Sequence, residues 1–115
     1  MIRRKGSYAL ELKENMRGGE DIVSIEELLT PSELYDKGRF FAKLTLVPGA
    51  SIGHHVHEGE MESFFVISGE AEYMDNDGLE IMRSGDTSLT KSGESHSIKN
   101  AGDTPLELIA LILYK

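Results

Sequence analysis

The clearest alternation of hydrophobic and polar positions lies in residues 39–47. Even-numbered positions from 42 to 46 are apolar and the odd-numbered positions between them are polar, which predicts a half-buried strand. Other short segments carry β-branched or apolar residues and are bounded by glycine, proline or acidic turns. The further strands predicted are 8–13, 20–25, 51–57, 62–68, 71–74, 79–83, 86–90, 95–99 and 106–113. This pattern indicates an all-β chain.

Helix is expected only as a single turn in the N-terminal third of the chain. Ser24 and Glu27 have the spacing of a capping box, so residues 26–29 are predicted to form one helical turn after the strand. Pro31 disfavours helical geometry at Thr30 and would end the turn there. Many short strands with so little helix predict a barrel or jelly roll.

The last predicted strand, residues 106–113, is apolar at consecutive positions over much of its length. Such a pattern is typical of a strand that is covered on both faces. A small barrel covers only the inner face of each strand. The outer face of this strand is therefore predicted to contact a second copy of the chain, which would make the protein a homodimer.

Length and composition narrow the class of protein. A chain of 115 residues fits one domain with one hydrophobic core. The absence of cysteine excludes disulfides and thiolate metal sites. A formal net charge of −8 argues against binding to nucleic acid or to anionic membranes, because both carry dense negative charge.

No segment has the features of a targeting or membrane-spanning sequence. Residues 1–6 include basic side chains, but no continuous apolar stretch of the kind found in a signal peptide follows them. No apolar run approaches the length of about 20 residues that a membrane span needs. We therefore expect a cytoplasmic protein.

Three of the four histidines and one glutamate form a candidate metal site. His55 and His57 are two positions apart on a predicted strand, so both imidazoles project to the same side. After a turn at 58–61, the next predicted strand begins with Glu62, and a hairpin can bring this carboxylate beside the imidazoles. His96 can complete the set from a third strand. Three imidazoles and one carboxylate suit a divalent transition metal.

The spacing of these residues matches two longer sequence patterns. The pattern G-x5-H-x-H-x4-E-x6-G is matched by Gly49, His55, His57, Glu62 and Gly69. The pattern G-x5-P-x-G-x2-H-x3-N is matched by Gly85, Gly93, His96 and Asn100, with Lys91 in place of the proline. Both patterns resemble the conserved motifs of the cupin superfamily.

This resemblance implies a jelly-roll β-barrel with one metal ion held inside by the three histidines and Glu62. Residues 38–115 would form the barrel, and residues 1–37 would add N-terminal strands and loops to the same cupin domain. The chain is similar to compact single-domain cupins, including those described as oxalate-decarboxylase-like. True decarboxylases of that type have two domains and a lid that carries a glutamate, so the resemblance does not specify that reaction.

Four protein ligands leave open positions on an octahedral metal ion, and these positions suit a small ligand that chelates through two oxygen atoms. The ion is expected to be Mn, Fe, Co, Ni, Cu or Zn. The predicted function is a small metalloenzyme that acts on a small carboxylate or sugar-derived substrate by decarboxylation, isomerisation or dioxygenation. The alternative is a metal-bearing module that binds or senses a small ligand without turnover.

Few other residues can be assigned to the pocket from the sequence. Phe64 and Val66 share the strand face of Glu62 and are predicted to line the cavity. Tyr73, on the strand that follows, is a third lining candidate. His54 faces the opposite side of its strand, so we expect it at the surface. No residue is identified as a general acid or base.

Overall fold

The computed structural model describes residues 1–115 as ten β-strands and one short 3₁₀ turn, without an α-helix. The strands are β1 (Leu10–Glu14), β2 (Ile22–Leu29), β3 (Gly38–Leu46), β4 (Ser51–Val56), β5 (Glu60–Ser68), β6 (Ala71–Asp75), β7 (Gly78–Met82), β8 (Thr87–Thr90), β9 (Ser95–Asn100) and β10 (Leu106–Tyr114). The prediction of an all-β fold with little helix is confirmed. Nothing helical in the chain has the length and apolar character that crossing a membrane requires.

The strands form two antiparallel sheets. One sheet has the order β1-β2-β3-β10-β5-β8, and the other has the order β4-β9-β6-β7. Four pairings are nested along the chain, because β3 pairs with β10, β4 with β9, β5 with β8 and β6 with β7. Nested pairing folds one long hairpin into a two-layered roll, which is the predicted jelly roll.

The hydrophobic core lies between the two sheets. β3 contributes Ala42, Leu44 and Leu46, so the predicted alternation in this strand is confirmed. In β10, the side chains at even positions from 106 to 112 are buried, and those between them face outward. β10 is therefore apolar on both faces although only one face belongs to the core.

The outward face of the larger sheet carries exposed and half-buried apolar side chains. We call this surface the outer patch, and its members are Phe41, Phe65, Ile67, Leu89, Ile109 and Leu111. Phe65, Ile67 and Leu89 are 44%, 40% and 52% exposed, respectively. The ion pair between Lys43 and Glu107, 2.7 Å apart, lies beside the patch in the same sheet. Such a surface is a candidate contact site for another chain.

The helical turn predicted over residues 26–29 is wrong, because β2 continues as a strand to Leu29. Glu26 in this segment pairs with Leu10 of β1 and with Lys43 of β3. The pairing with β3 continues to Leu29. This pairing satisfies backbone N–H and C=O groups, and the local capping-box spacing does not override it. All ten predicted strands are present, and apart from the end of β2 their ends differ from the prediction by at most two residues.

A capping box does form, but it lies after β2. The Thr30 N–H donates to Glu33 Oε1 at 3.0 Å, and the Glu33 N–H donates to Thr30 Oγ1 at 3.2 Å. Pro31 occupies the first position of the turn, where its missing N–H leaves no hydrogen bond unmade. Pro31 therefore begins a turn at 31–36 instead of ending one.

The 3₁₀ turn Met16–Gly18 packs on β4 with no side chain between the two backbones. A Cβ atom at Gly53 would lie 2.2 Å from the Arg17 carbonyl oxygen. A Cβ atom at Gly19 would lie 2.1 Å from the Ser51 carbonyl oxygen. Only glycine permits the two backbones to approach so closely. This contact fixes the turn against β4.

Replacing Gly53 with alanine is expected to destabilise the fold, because the new methyl group overlaps backbone atoms that cannot move aside independently. We expect the free energy of unfolding to fall by about 1–3 kcal/mol, the usual effect of overpacking. Urea unfolding of metal-depleted protein measures this change without a contribution from a bound ion. Gly102→Ala is the matched control, since the nearest atom to its Cβ outside the adjacent residues would be Asn100 Oδ1, 3.5 Å away. Equal losses in the two variants would contradict the tight contact.

Candidate metal centre

Four side chains from three strands and one turn meet inside the roll. His55 comes from β4, His57 from the turn after β4, Glu62 from β5 and His96 from β9. Their ligand atoms all lie within 4.8 Å of one another. His57, Glu62 and His96 are buried, and His55 is partly exposed. His54 is exposed at the surface, as expected.

The distances between these atoms match the edges of an octahedral ligand shell. His96 Nε2 lies 3.1 Å from His57 Nε2 and 3.2 Å from His55 Nε2. Glu62 Oε1 lies 3.0 Å from His57 Nε2, 2.9 Å from His96 Nε2 and 4.0 Å from His55 Nε2. Ligands at right angles with bonds of about 2.1 Å would be about 3.0 Å apart, and opposite ligands about 4.2 Å apart. The residues therefore fit a six-coordinate divalent metal ion.

The turn at residues 91–94 holds His57 in place, although His57 lies beyond the end of β4. The His57 N–H donates to the Glu94 carbonyl at 3.0 Å, and the Gly93 N–H donates to the His57 carbonyl at 2.6 Å. The Lys91 N–H donates to Glu94 Oε1 at 2.7 Å, a hydrogen bond that proline could not make. The departure of Lys91 from the motif therefore leaves the turn intact.

Acceptor groups orient two of the imidazoles. His55 Nδ1 lies 2.7 Å from the Gly53 carbonyl oxygen, and His57 Nδ1 lies 3.0 Å from Glu60 Oε1. Since a carbonyl and a carboxylate only accept hydrogen bonds, each Nδ1 carries a proton. This leaves each Nε2 to face the centre of the site, as a metal ligand must.

Arg39 holds Glu60 in its charged form. The Arg39 guanidinium donates two hydrogen bonds to the Glu60 carboxylate, at 2.7 and 2.8 Å. This contact lowers the Glu60 pKa to about 2. Glu60 therefore remains an acceptor for His57 Nδ1 at neutral pH, and the Arg39–Glu60 pair fixes His57 from outside the ligand set.

A hydroxyl pair and an aromatic ring hold His96. Its Nδ1 lies 2.9 Å from Thr90 Oγ1 and 3.0 Å from the Tyr73 hydroxyl oxygen. The Phe64 ring stacks on the imidazole with centroids 5.1 Å apart. Tyr73 and Thr90 thus lie on the side of His96 that faces away from the other ligands.

The charges of the ligands depend on one another. Burial lowers the pKa of His55, whereas the hydrogen bond to Glu62 raises the pKa of His57. Burial acts to raise the pKa of Glu62, but hydrogen bonds from His57 and His96 outweigh it, so that pKa is lowered. Glu62 is therefore an anion that attracts positive charge, either a proton on His57 or a metal ion that displaces this proton.

A cavity of about 50 Å³ opens beside the ligands. Besides three of the ligands and Phe64, its wall includes Met16, Phe40, Ile52, Ile112, Arg17 and Arg39. Phe64 therefore lines the cavity, but the other two lining candidates, Val66 and Tyr73, do not. Val66 is fully buried in the core, and Tyr73 lies on the far side of His96. A space of this size holds only a few water-sized groups.

Three residues at the site were not found from the sequence. Residues 58–61 were predicted to form a turn, so Glu60 was not assigned to a strand. In the structure β5 begins at Glu60, and Glu60 therefore lies on the same strand face as Glu62. Arg39 lies on a correctly predicted strand, yet alternation alone does not reveal its pairing with Glu60. No local signal indicates Arg17, because its turn reaches the cavity only by packing on β4.

Known protein families and relatives point to the same fold. A family model described as "Cupin domain" matches residues 42–112, which is more than half of the chain. An oxalate-binding protein from Thermotoga maritima is 42% identical over 113 residues, and the match covers 98% of this chain and 93% of that protein.

Solved structures agree with this result. The crystal structure of a predicted oxalate decarboxylase from Thermotoga maritima has a TM-score of 0.97 and 41% sequence identity, with both chains covered completely. The cupin domain of Schizosaccharomyces pombe Cnp3 has a TM-score of 0.74 at 16% identity, over 93% of this chain and 70% of that one. This second likeness concerns the fold alone. The two motifs, the nested jelly roll and the family match lead to one conclusion: the chain belongs to the cupin family.

Proposed function

We propose that this cupin binds one divalent transition metal ion through His55, His57, Glu62 and His96 and holds a small carboxylate at that ion. The ion is one of Mn, Fe, Co, Ni, Cu and Zn. A metal held by these residues supplies a Lewis acid with open positions for a chelating anion. The observation that carries the proposal is the convergence of four ligand atoms at octahedral spacing beside a small cavity.

The cavity favours a compact anion over a sugar. Its volume is about 50 Å³, and Arg17 and Arg39 both line it. Guanidinium groups suit carboxylates because their N–H donors match the two carboxylate oxygens. The relative that is 42% identical is named an oxalate-binding protein, and oxalate is a carboxylate small enough for such a space. We infer that the ligand is a short carboxylate such as oxalate.

The side chains of the cavity favour binding over turnover. Apart from the metal ligands, the ionisable residues that line it are Arg17 and Arg39, and arginine stays protonated in proteins. Decarboxylation and isomerisation both need a group that moves a proton at the substrate. These two reactions are therefore disfavoured, and we propose a metal-dependent binding module. Decarboxylation, isomerisation and dioxygenation, the last of which does not depend on such a group, are the reactions to assay in the same preparations.

Oxalate binding is expected to require the metal ion. Calorimetric titration of manganese-loaded protein with oxalate should show one ligand per chain, and the heat should vanish once the metal is removed. Glu62→Gln should weaken manganese binding by at least about tenfold, because it removes the single anionic ligand. Oxalate binding should weaken together with it.

Glu58→Gln is the matched control for this experiment, since Glu58 is exposed near the site and its substitution changes the net charge equally. Equal oxalate affinity with and without metal would contradict the proposal. Unchanged metal content and unchanged oxalate affinity in Glu62→Gln would remove Glu62 from the ligand set.

We also infer that two copies of the chain associate through the outer patch. The patch is mainly apolar and spans β3, β10, β5 and β8, with Ser63 between Leu111 and Leu89. Phe65 and Leu89 are about half exposed in the single chain. Two identical patches related by a two-fold axis can cover one another, as in most homodimers.

A charge placed in the outer patch is expected to separate the dimer. Light scattering after size exclusion should give twice the chain mass of 12.7 kDa for the wild type and the single mass for Phe65→Lys. Met74→Lys is the control, because Met74 is 45% exposed on the other sheet. A wild-type protein that runs as a single chain at micromolar concentration would rule out this dimer.

A further inference from the structure

The mouth of the cavity is formed by residues that also border a groove on the surface. Met16, Arg17, Arg39 and Phe40 line both the cavity and this groove, which continues outward beside β1. The outer part of the groove is also lined by Glu11, Lys13 and Glu14 of β1. A ligand that reaches the metal ligands from solvent by this route passes these side chains first and then both arginines. The arginines are therefore placed to contact an anion on its way in and after it has bound.

The two arginines differ in what they can offer an anion. The charge of Arg39 is compensated, since Glu60 accepts two hydrogen bonds from it. The Arg17 guanidinium forms no hydrogen bond or ion pair with any protein group, and the arginine ion pairs of the chain involve Arg3, Arg39 and Arg83. Arg17 lines the cavity, is exposed to solvent and is thus the cation there that no protein group compensates.

The backbone holds Arg17 in this place. Arg17 adopts the left-handed conformation, with φ 53° and ψ 32°, and its carbonyl packs against Gly53. Ser51 donates its N–H to the Glu20 carbonyl, and the Glu20 N–H donates to Ser51 Oγ, both at 2.8 Å. The turn that carries Arg17 is therefore attached to β4, the strand that also carries His55.

The formal charges at the cavity match a dianion. When the histidines are neutral, the net formal charge of a bound divalent cation, the Glu62 carboxylate and the Arg17 guanidinium is two positive charges. Arg39 and Glu60 do not change this value, because their charges cancel. Without Arg17 only one positive charge is left. The whole chain carries −8 and repels anions, so the charge at the cavity decides which anions are held there.

We propose that Arg17 binds the carboxylate oxygens of the ligand that point away from the metal and thereby selects dianions over monoanions of the same size. This inference rests on the proposed function and assigns its specificity to one residue. Arg17 is a binding residue supplied by the N-terminal turn, outside both cupin motifs. The ligand class it specifies is a short dicarboxylate.

Oxalate and oxamate test this inference, because they have nearly the same size and differ by one negative charge. Their affinities for manganese-loaded wild type, Arg17→Asn and Arg17→Lys would be measured by calorimetry. Asparagine tolerates the left-handed conformation at position 17, so Arg17→Asn preserves the turn. We expect it to weaken oxalate binding about 10- to 100-fold, the usual effect of losing a hydrogen bond to a charged group, and oxamate binding far less. Arg17→Lys should retain most of the preference for oxalate.

Arg83→Asn is the matched control, since Arg83 is an exposed arginine outside the cavity and its loss changes the net charge equally. Elemental analysis should find the same metal content in every variant. Equal weakening of oxalate and oxamate in Arg17→Asn would overturn the inference and leave Arg17 a structural role. Unchanged oxalate affinity in Arg17→Asn would also overturn the inference about Arg17. The proposed metal-dependent binding of oxalate would not be affected by this result.

Metal-depleted protein separates this inference from the proposed function. Oxalate binding that persists without metal and is lost in Arg17→Asn would support anion recognition by Arg17 and contradict the metal-dependent function. Wild-type protein that binds oxalate in neither form would overturn both.

Discussion

The site depends on bringing together atoms that repel one another. Three imidazole nitrogens and a carboxylate oxygen face one centre, and most neighbouring pairs are 2.9–3.2 Å apart. Unless a proton or a metal ion lies between them, lone pairs and a negative charge at these distances are unfavourable in a buried place, because little water is present to screen them. A cation at the centre turns this repulsion into coordination, which is why the arrangement points to a metal ion.

The nested strand pairing of the roll makes this convergence possible. Pairing of β4 with β9 places His55 opposite His96, and pairing of β5 with β8 places Glu62 opposite Thr90. Each imidazole is then fixed through its Nδ1 by a different group: a backbone carbonyl, a carboxylate held by arginine, or a pair of hydroxyls. The ligands are therefore oriented by the barrel before any ion binds.

Most of the fold could be predicted from the sequence because its signals are local. Alternation in residues 39–47 predicted β3, and two motifs with fixed spacing predicted which side chains meet. The prediction of a helical turn at 26–29 was wrong because strand pairing with β3, which continues to Leu29, outweighs a local capping pattern. Arg17 could not be found, since it reaches the cavity through contact between Gly19 and Gly53, which are far apart in sequence.

Metal content measures most directly whether the side chains of His55, His57, Glu62 and His96 hold a metal ion. Untagged protein from medium supplied with Mn, Fe, Co, Ni, Cu and Zn would be compared with His96→Ala by elemental analysis. His54→Ala serves as the control, because His54 is exposed. We expect close to one ion per chain in the wild type and in His54→Ala, and the loss of this ion in His96→Ala. No ion in any of the three, even after reconstitution, would contradict this expectation.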